Sequence, residues 1–142
     1  MFRISQYMEE IAHPTPLGEK RNPPGPVVIW NLIRRCNLTC KHCYSISADK
    51  DFPGELSTAE IYGVMDDLKR FRVPVLILSG GEPLLRPDIF DIAQRAKGLG
   101  FYVGLSSNGT LIDESNIRRI AETDFNYVGI SLDGIRETHD KF

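Results

Sequence analysis

No stretch of this 142-residue chain is apolar for long enough to cross a membrane. The longest uninterrupted runs are VVIW at 27–30 and VLIL at 75–78, against about 20 residues for a spanning helix. No charge of either sign dominates: 17 basic and 19 acidic residues leave a net charge of -2. That argues against a nucleic-acid partner, which usually depends on a basic surface. The opening MFRISQYMEE lacks the apolar core of a secretory signal. Cysteine is scarce and odd in number. Cys36, Cys40 and Cys43 all fall within RRCNLTCKHCY, residues 34–44, and no fourth follows. An odd, clustered set is a poor disulfide framework, so the expectation is a reducing, cytoplasmic setting with thiols kept for a metal.

What the chain does have is rhythm. Residues 1–12 carry Ile4, Tyr7, Met8 and Ile11 at helical spacing, a short amphipathic segment. HPTPLGEKRNPPGP then places five prolines in fourteen residues and reads as an extended linker. From residue 26 the chain alternates. PVVIWNLI (26–33), VPVLILS (73–79), FYVGLSS (101–107) and NYVGISL (126–132) read as strands. Between them lie helical patterns at 57–71, 87–100 and 113–123. The first opens with a capping box, Ser57 and Glu60, and buries Ile61, Val64, Met65 and Leu68. The second starts at Pro87, turns Ile89, Ile92, Ala93 and Ala96 inward and ends on glycines. The third is weaker and would bury Ile117, Ile120 and Ala121.

Strands with little alternation, separated by helices, predict a parallel α/β sheet buried on both faces. Right-handed crossovers bring the C-terminal strand ends to one rim, where such folds keep their chemistry. The unusual residues fall there: RRCNLTCKHCY after the first strand, GGEP (80–83) after the second, SSNGT (106–110) and SLDG (131–134) after the third and fourth.

Structural zinc asks for four closed ligands, usually as paired C-x2-C knuckles. The spacing here is C-x3-C-x2-C with no second pair, and His42 adjoins Cys43. A [4Fe–4S] cluster suits three thiolates better, since one iron is then left open for a further ligand. Arg34, Arg35 and Lys41 in the same loop are either support for the thiolate form or plain solvated surface.

With those residues in view, the chain resembles the radical SAM superfamily, and within it the branch of heme d1 biosynthesis. C36-x3-C40-x2-C43, with an aromatic ring at His42, is similar to the superfamily signature. The resemblance implies a partial (β/α) barrel, a [4Fe–4S] cluster on the three cysteines, and S-adenosylmethionine on the open iron. It further implies that Gly80, Gly81, Glu82 and Pro83 meet the cofactor's amino group, and that His42 lies beside its adenine. Ser107 and Asn108 correspond to residues holding the carboxylate or ribose, and Ser131 and Asp133 to a polar pair near the ribose hydroxyls. The implied reaction is one-electron cleavage of the sulfonium to a 5′-deoxyadenosyl radical that abstracts hydrogen from substrate. In this branch the substrate is a tetrapyrrole, didecarboxysiroheme, which loses propionate side chains; a flavodoxin or ferredoxin supplies the electron. Relatives with similar loops decarboxylate heme precursors or modify peptides. Nucleic-acid and membrane partners are not expected.

The resemblance also sets an expectation about extent. Residues 1–25 form an appended segment and linker, and 26–142 the N-terminal part of a core domain. The 116 residues after position 26 allow about four units at roughly 30 residues each. Later strands and any auxiliary cysteines would lie elsewhere, so the chain is expected to be a fragment of a longer enzyme. A cluster- or cofactor-binding module without catalysis is the alternative of a different class.

Overall fold

Four apolar runs become strands: β1 (Val27–Asn31), β2 (Val75–Ser79), β3 (Tyr102–Ser107) and β4 (Tyr127–Ile130). A computed structural model of the chain describes residues 8, 11–13 and 25–140. The strands run parallel in the order β1-β2-β3-β4. Helices α1 (Thr58–Arg70), α2 (Ile89–Gly98) and α3 (Ile117–Thr123) form the crossovers, and a single turn, α4 (Arg136–His139), follows β4. Most of the predicted amphipathic segment at 1–12 and of the proline linker lies outside the described residues; Met8 and Ile11 are exposed.

Capping chemistry sets the helix boundaries. Ser57 accepts the Glu60 N–H, and the Glu60 carboxylate accepts the Ser57 N–H at 2.8 Å, so α1 begins where its capping box predicts. Two residues later than its sequence pattern, α2 begins at Ile89. Asp88 cannot cap it because its carboxylate is engaged elsewhere, paired with Arg86 at 2.8 Å and accepting the Thr58 hydroxyl at 2.5 Å. Burial opposes ionisation of Asp88, but the bonds from Arg86 and Thr58 hold its carboxyl below the usual range. At its other end Gly100, at φ +77, closes a Schellman turn: its N–H reaches Lys97 O at 2.8 Å and Phe101 N–H reaches Ala96 O at 3.2 Å.

The third helix departs from expectation. It starts at Ile117 instead of residue 113, because Asp113 Oδ1 takes the Ser115 N–H at 2.8 Å and Asn116 Oδ1 takes the Asp113 N–H. Those side chains compete with helical backbone bonds and hold a turn. Two helical turns then bury only Ile120 and Thr123; Ile117 is 50% exposed and Ala121 is also outside the core.

The core lies on one face of the sheet. Register aligns Val28 with Leu76 and Val103, and Trp30 with Leu78 and Leu105. These pack with Ile61, Met65, Ile89, Ile92, Ala96 and Ile120 from the helices. The alternate row, Val27, Ile29 and Tyr127, is 47%, 64% and 40% exposed. Burial on both faces is therefore not what the described residues show. The helices cover one side, and the other is open.

Candidate functional site

All four strands end at the same rim because they are parallel. Loops after each strand line one cavity there, of about 350 Å³. Ten of the sequence-predicted residues border it: Cys36, Cys40, His42 and Cys43; Gly80 and Gly81; Ser107 and Asn108; Ser131 and Asp133. Glu82 and Pro83 do not. Leu38, Tyr44, Ser106 and Thr110 also face the cavity, inside motifs the sequence placed at this rim but without a role assigned to them. Ser45, Ser47, Ser79 and His139, outside those motifs, were missed, and their only sequence signal was proximity to them.

The glycine pair brings the cysteine loop to this rim. Gly81 N–H donates to Ile33 O at 2.7 Å and Glu82 N–H to Arg35 O at 2.9 Å, so β2 continues its pairing past the end of β1. A Cβ on Gly81 would stand 2.3 Å from Arg35 O. Only glycine allows the two chains so near. Glu82 lies beneath the cavity, wholly buried. Its carboxylate accepts the Ser107 hydroxyl at 2.9 Å, Leu84 N–H at 3.1 Å and Asn108 N–H at 2.8 Å. A buried carboxylate needs such donors in place of water. Here they tie the end of β2 to the end of β3.

Three free thiols share the cavity. Cys36 is buried, its N–H held by Ala48 O at 3.1 Å, and its sulfur accepts Leu38 N–H at 3.4 Å. The Ser45 hydroxyl lies 3.3 Å from Cys43 Sγ and lowers that thiol to about 7, helped by a backbone bond at Ser47. Burial pushes the Cys40 thiol up, and the neighbouring sulfurs of Cys36 and Cys43, then Asp133, push it the same way. Cations play no part in this. Arg35 is turned to Asp49 and Asp51 at 2.8 and 3.1 Å, and Arg34 stacks on Phe52 at 4.3 Å. Of the two readings of those arginines, surface pairing is the one observed.

Across the cavity, His42 Nε2 lies 3.3 Å from Asp133 Oδ1, and Asp133 N–H donates to His139 Nδ1 at 3.2 Å. This joins the cysteine loop to the residues after β4. Ser131 N–H reaches Ser107 O at 3.0 Å, extending the sheet by one more rung. Among the described residues, no three His, Cys, Asp or Glu side chains converge as ligands for one ion. A cubane makes a different demand, since each thiolate binds its own iron at a separate corner.

Parallel strands, a rim of chemistry and three thiols in the spacing C-x3-C-x2-C define a class. The chain belongs to the radical SAM superfamily, whose sequence profile matches residues 30–142. Members of that superfamily use a [4Fe–4S] cluster and S-adenosylmethionine. The chain is 57% identical over all of its 142 residues to the pre-heme d1 synthase of Dinoroseobacter shibae, of which it covers 35%. It is 50% identical over 117 residues to the Fe-coproporphyrin III synthase of Methanosarcina barkeri, covering 29% of it. A mycofactocin maturase of Mycobacterium tuberculosis is 40% identical over 116 residues, with 29% of its length covered. The chain thus spans about a third of the length of the curated relatives it matches. Its fold matches SuiB of Streptococcus suis bound to S-adenosylmethionine, at a TM-score of 0.66 and 19% identity, over 80% of this chain and 26% of that one. It also matches anSMEcpe with bound AdoMet, at 0.62 and 26% identity, over 81% of this chain and 34% of that one. The predicted partial (β/α) barrel is borne out, with four of its strands present here. No helix among the described residues is long and apolar enough to cross a membrane.

Proposed function

We propose that this chain carries the cluster-binding and cofactor-binding part of a radical SAM enzyme of heme d1 biosynthesis, with residues 26–142 as the N-terminal part of its core domain. The observation that carries the reading is convergence. Three free thiols, a glycine pair and the polar ends of two further strands border one cavity. Cys36, Cys40 and Cys43 would hold three irons, leaving one open. When bound there, the cluster and S-adenosylmethionine would supply one-electron reductive chemistry and hydrogen-atom abstraction.

The chain's own residues bind, orient and exclude water. Gly80 and Gly81 would offer bare backbone to the cofactor's amino group, while the Glu82 carboxylate, bonded to Leu84, Ser107 and Asn108, holds the turn in place. Ser131 and Asp133 would meet the ribose, and His42, tethered to Asp133, would flank the adenine. Identity over the whole chain to a pre-heme d1 synthase favours a tetrapyrrole, didecarboxysiroheme, whose propionate side chains are removed. A low-potential flavodoxin or ferredoxin would deliver the electron in a reducing, cytoplasmic setting.

The test is anaerobic reconstitution with iron and sulfide, followed by EPR after reduction, with and without S-adenosylmethionine. A cubane signal that changes on adding the cofactor is expected. A colourless protein with stoichiometric zinc would overturn the cluster assignment. Incubation of the complete gene product with didecarboxysiroheme should give loss of propionate by mass spectrometry; turnover of a peptide instead would overturn the tetrapyrrole assignment.

A further inference from the structure

At the end of β3, both parts of Asn108 are committed. Its main-chain N–H donates to buried Glu82 at 2.8 Å. Its side chain closes a ring with two residues far away or beyond it in sequence. Thr110 N–H meets Asn108 Oδ1 at 2.9 Å, and the Thr110 hydroxyl meets the same oxygen at 2.7 Å. A main-chain N–H can only donate, so the atom it meets is the oxygen, which fixes the orientation of the amide. Nδ2 therefore faces the cysteine loop. One of its hydrogens goes to Asn37 Oδ1 at 3.0 Å, and Asn37 Nδ2 returns to the Thr110 hydroxyl at 2.8 Å. The other points to Cys36 Sγ at 3.7 Å, within the reach of a sulfur acceptor. Cys36 is 7% exposed, so water has little access to compete.

We propose that Asn108, oriented by Asn37 and Thr110, is a positioning residue that sets the reduction potential of the cluster through its N–H···S contact with Cys36. The proposal rests on the reading of the site given above. When such a cluster takes up one electron, no bond is made or broken, and the added charge spreads onto its thiolate sulfurs. An amide hydrogen aimed at one of them stabilises the more negative, reduced form and raises the potential. Burial of the Cys36 sulfur makes the contact count for more. Asn108 therefore acts on the metal side of the cavity, a role distinct from holding the cofactor's carboxylate or ribose.

The experiment is an EPR-monitored redox titration of the reconstituted complete gene product without S-adenosylmethionine, dithionite supplying the electron through mediators. Asn108→Ala should make reduction about tenfold less favourable, a fall of about 59 mV for a one-electron couple. Asn108→Asp, which keeps the oxygen but sets an acceptor against the sulfur, should fall further. Thr110→Val, which frees the Asn108 amide without removing its N–H donor, should give a smaller fall in the same direction. Calorimetric affinity for S-adenosylmethionine, measured on all three variants, reads loss of a cofactor contact apart from a shift in potential. An unchanged potential in Asn108→Asp and Thr110→Val, with cofactor affinity lost in the asparagine variants, would overturn the inference and make Asn108 a cofactor contact. Should Asn108→Ala fail to load iron, the other two variants decide. Failure of the unsubstituted protein to load a cluster would overturn the reading of the site, and this inference with it.

Discussion

Cys40 and Cys43 share one cavity and are pushed in opposite directions. The difference comes from the Ser45 hydroxyl and the Ser47 backbone at Cys43, set against burial at Cys40. Ser45 Oγ lies 3.3 Å from Cys43 Sγ and 2.5 Å from Ser47 Oγ, so the Cys43 thiolate is met by a short relay of donors. The Cys40 thiol is buried beside two other sulfurs and Asp133, which penalise its charged form. Only a thiolate reacts with iodoacetamide. In metal-free, reduced protein, Cys43 should therefore be alkylated first, its rate rising through a midpoint at about pH 7. Cys40 should need a higher pH. Ser45→Ala should move the Cys43 midpoint upward, toward about 8.5, when site-specific modification is followed by peptide mass spectrometry. A midpoint that stays where it was would mean the hydroxyl is not the cause. None of this was legible in the sequence, where Arg34, Arg35 and Lys41 were the available candidates for thiolate support. Proximity along the chain said nothing of direction, and Arg35 points to Asp49 and Asp51 instead.

At the scale of elements, two glycines show opposite demands. Gly81 stands where β2 zips onto the end of β1, and a Cβ there would meet Arg35 O at 2.3 Å and Arg34 O at 2.6 Å. Gly63 sits on the exposed face of α1, where a Cβ would meet nothing within 4 Å. Gly81→Ala should destabilise by about 1–3 kcal/mol through overpacking and lower the iron content after reconstitution, because Arg35 leads directly into Cys36. Gly63→Ala should stabilise by about 0.5–1 kcal/mol. Denaturant unfolding of both variants reads the two signs at once. The sequence made GGEP visible as a motif but not the division of labour inside it: the glycines approach β1 while Glu82 descends to brace β3. That division depends on partners 25 and 26 residues ahead, Ser107 and Asn108. Local signals fared better. The Ser57–Glu60 box and the Gly100 turn were readable because their bonds close within a few residues. Helix α3 was misjudged because Asp113, Ser115 and Asn116 can bond either as helix or as turn.

On the scale of the whole molecule, the sheet has two unlike faces, and the sequence could not tell them apart. VVIW, VLIL and YVGL are apolar at nearly every position, so period alone does not say which row a helix covers. Register decides it: Leu78 and Leu105 pair within the core row, while Ile29 and Tyr127 fall in the alternate row. Both β1 and β4 are sheet edges among the described residues, and relatives that run about three times as long have more chain to bring. In the 142-residue chain, Leu105→Ala should cost about 2–5 kcal/mol, the cost of a core cavity. Ile29→Ala should stay within about 0.5 kcal/mol, as for a surface position. Chemical denaturation of both variants tests the assignment of faces. Equal costs would mean that Ile29 is covered and that the open face is closed by residues outside those described. If the pair is measured in a protein of the length of its relatives and Ile29→Ala becomes as costly as Leu105→Ala, the open face is a packing surface for that added length.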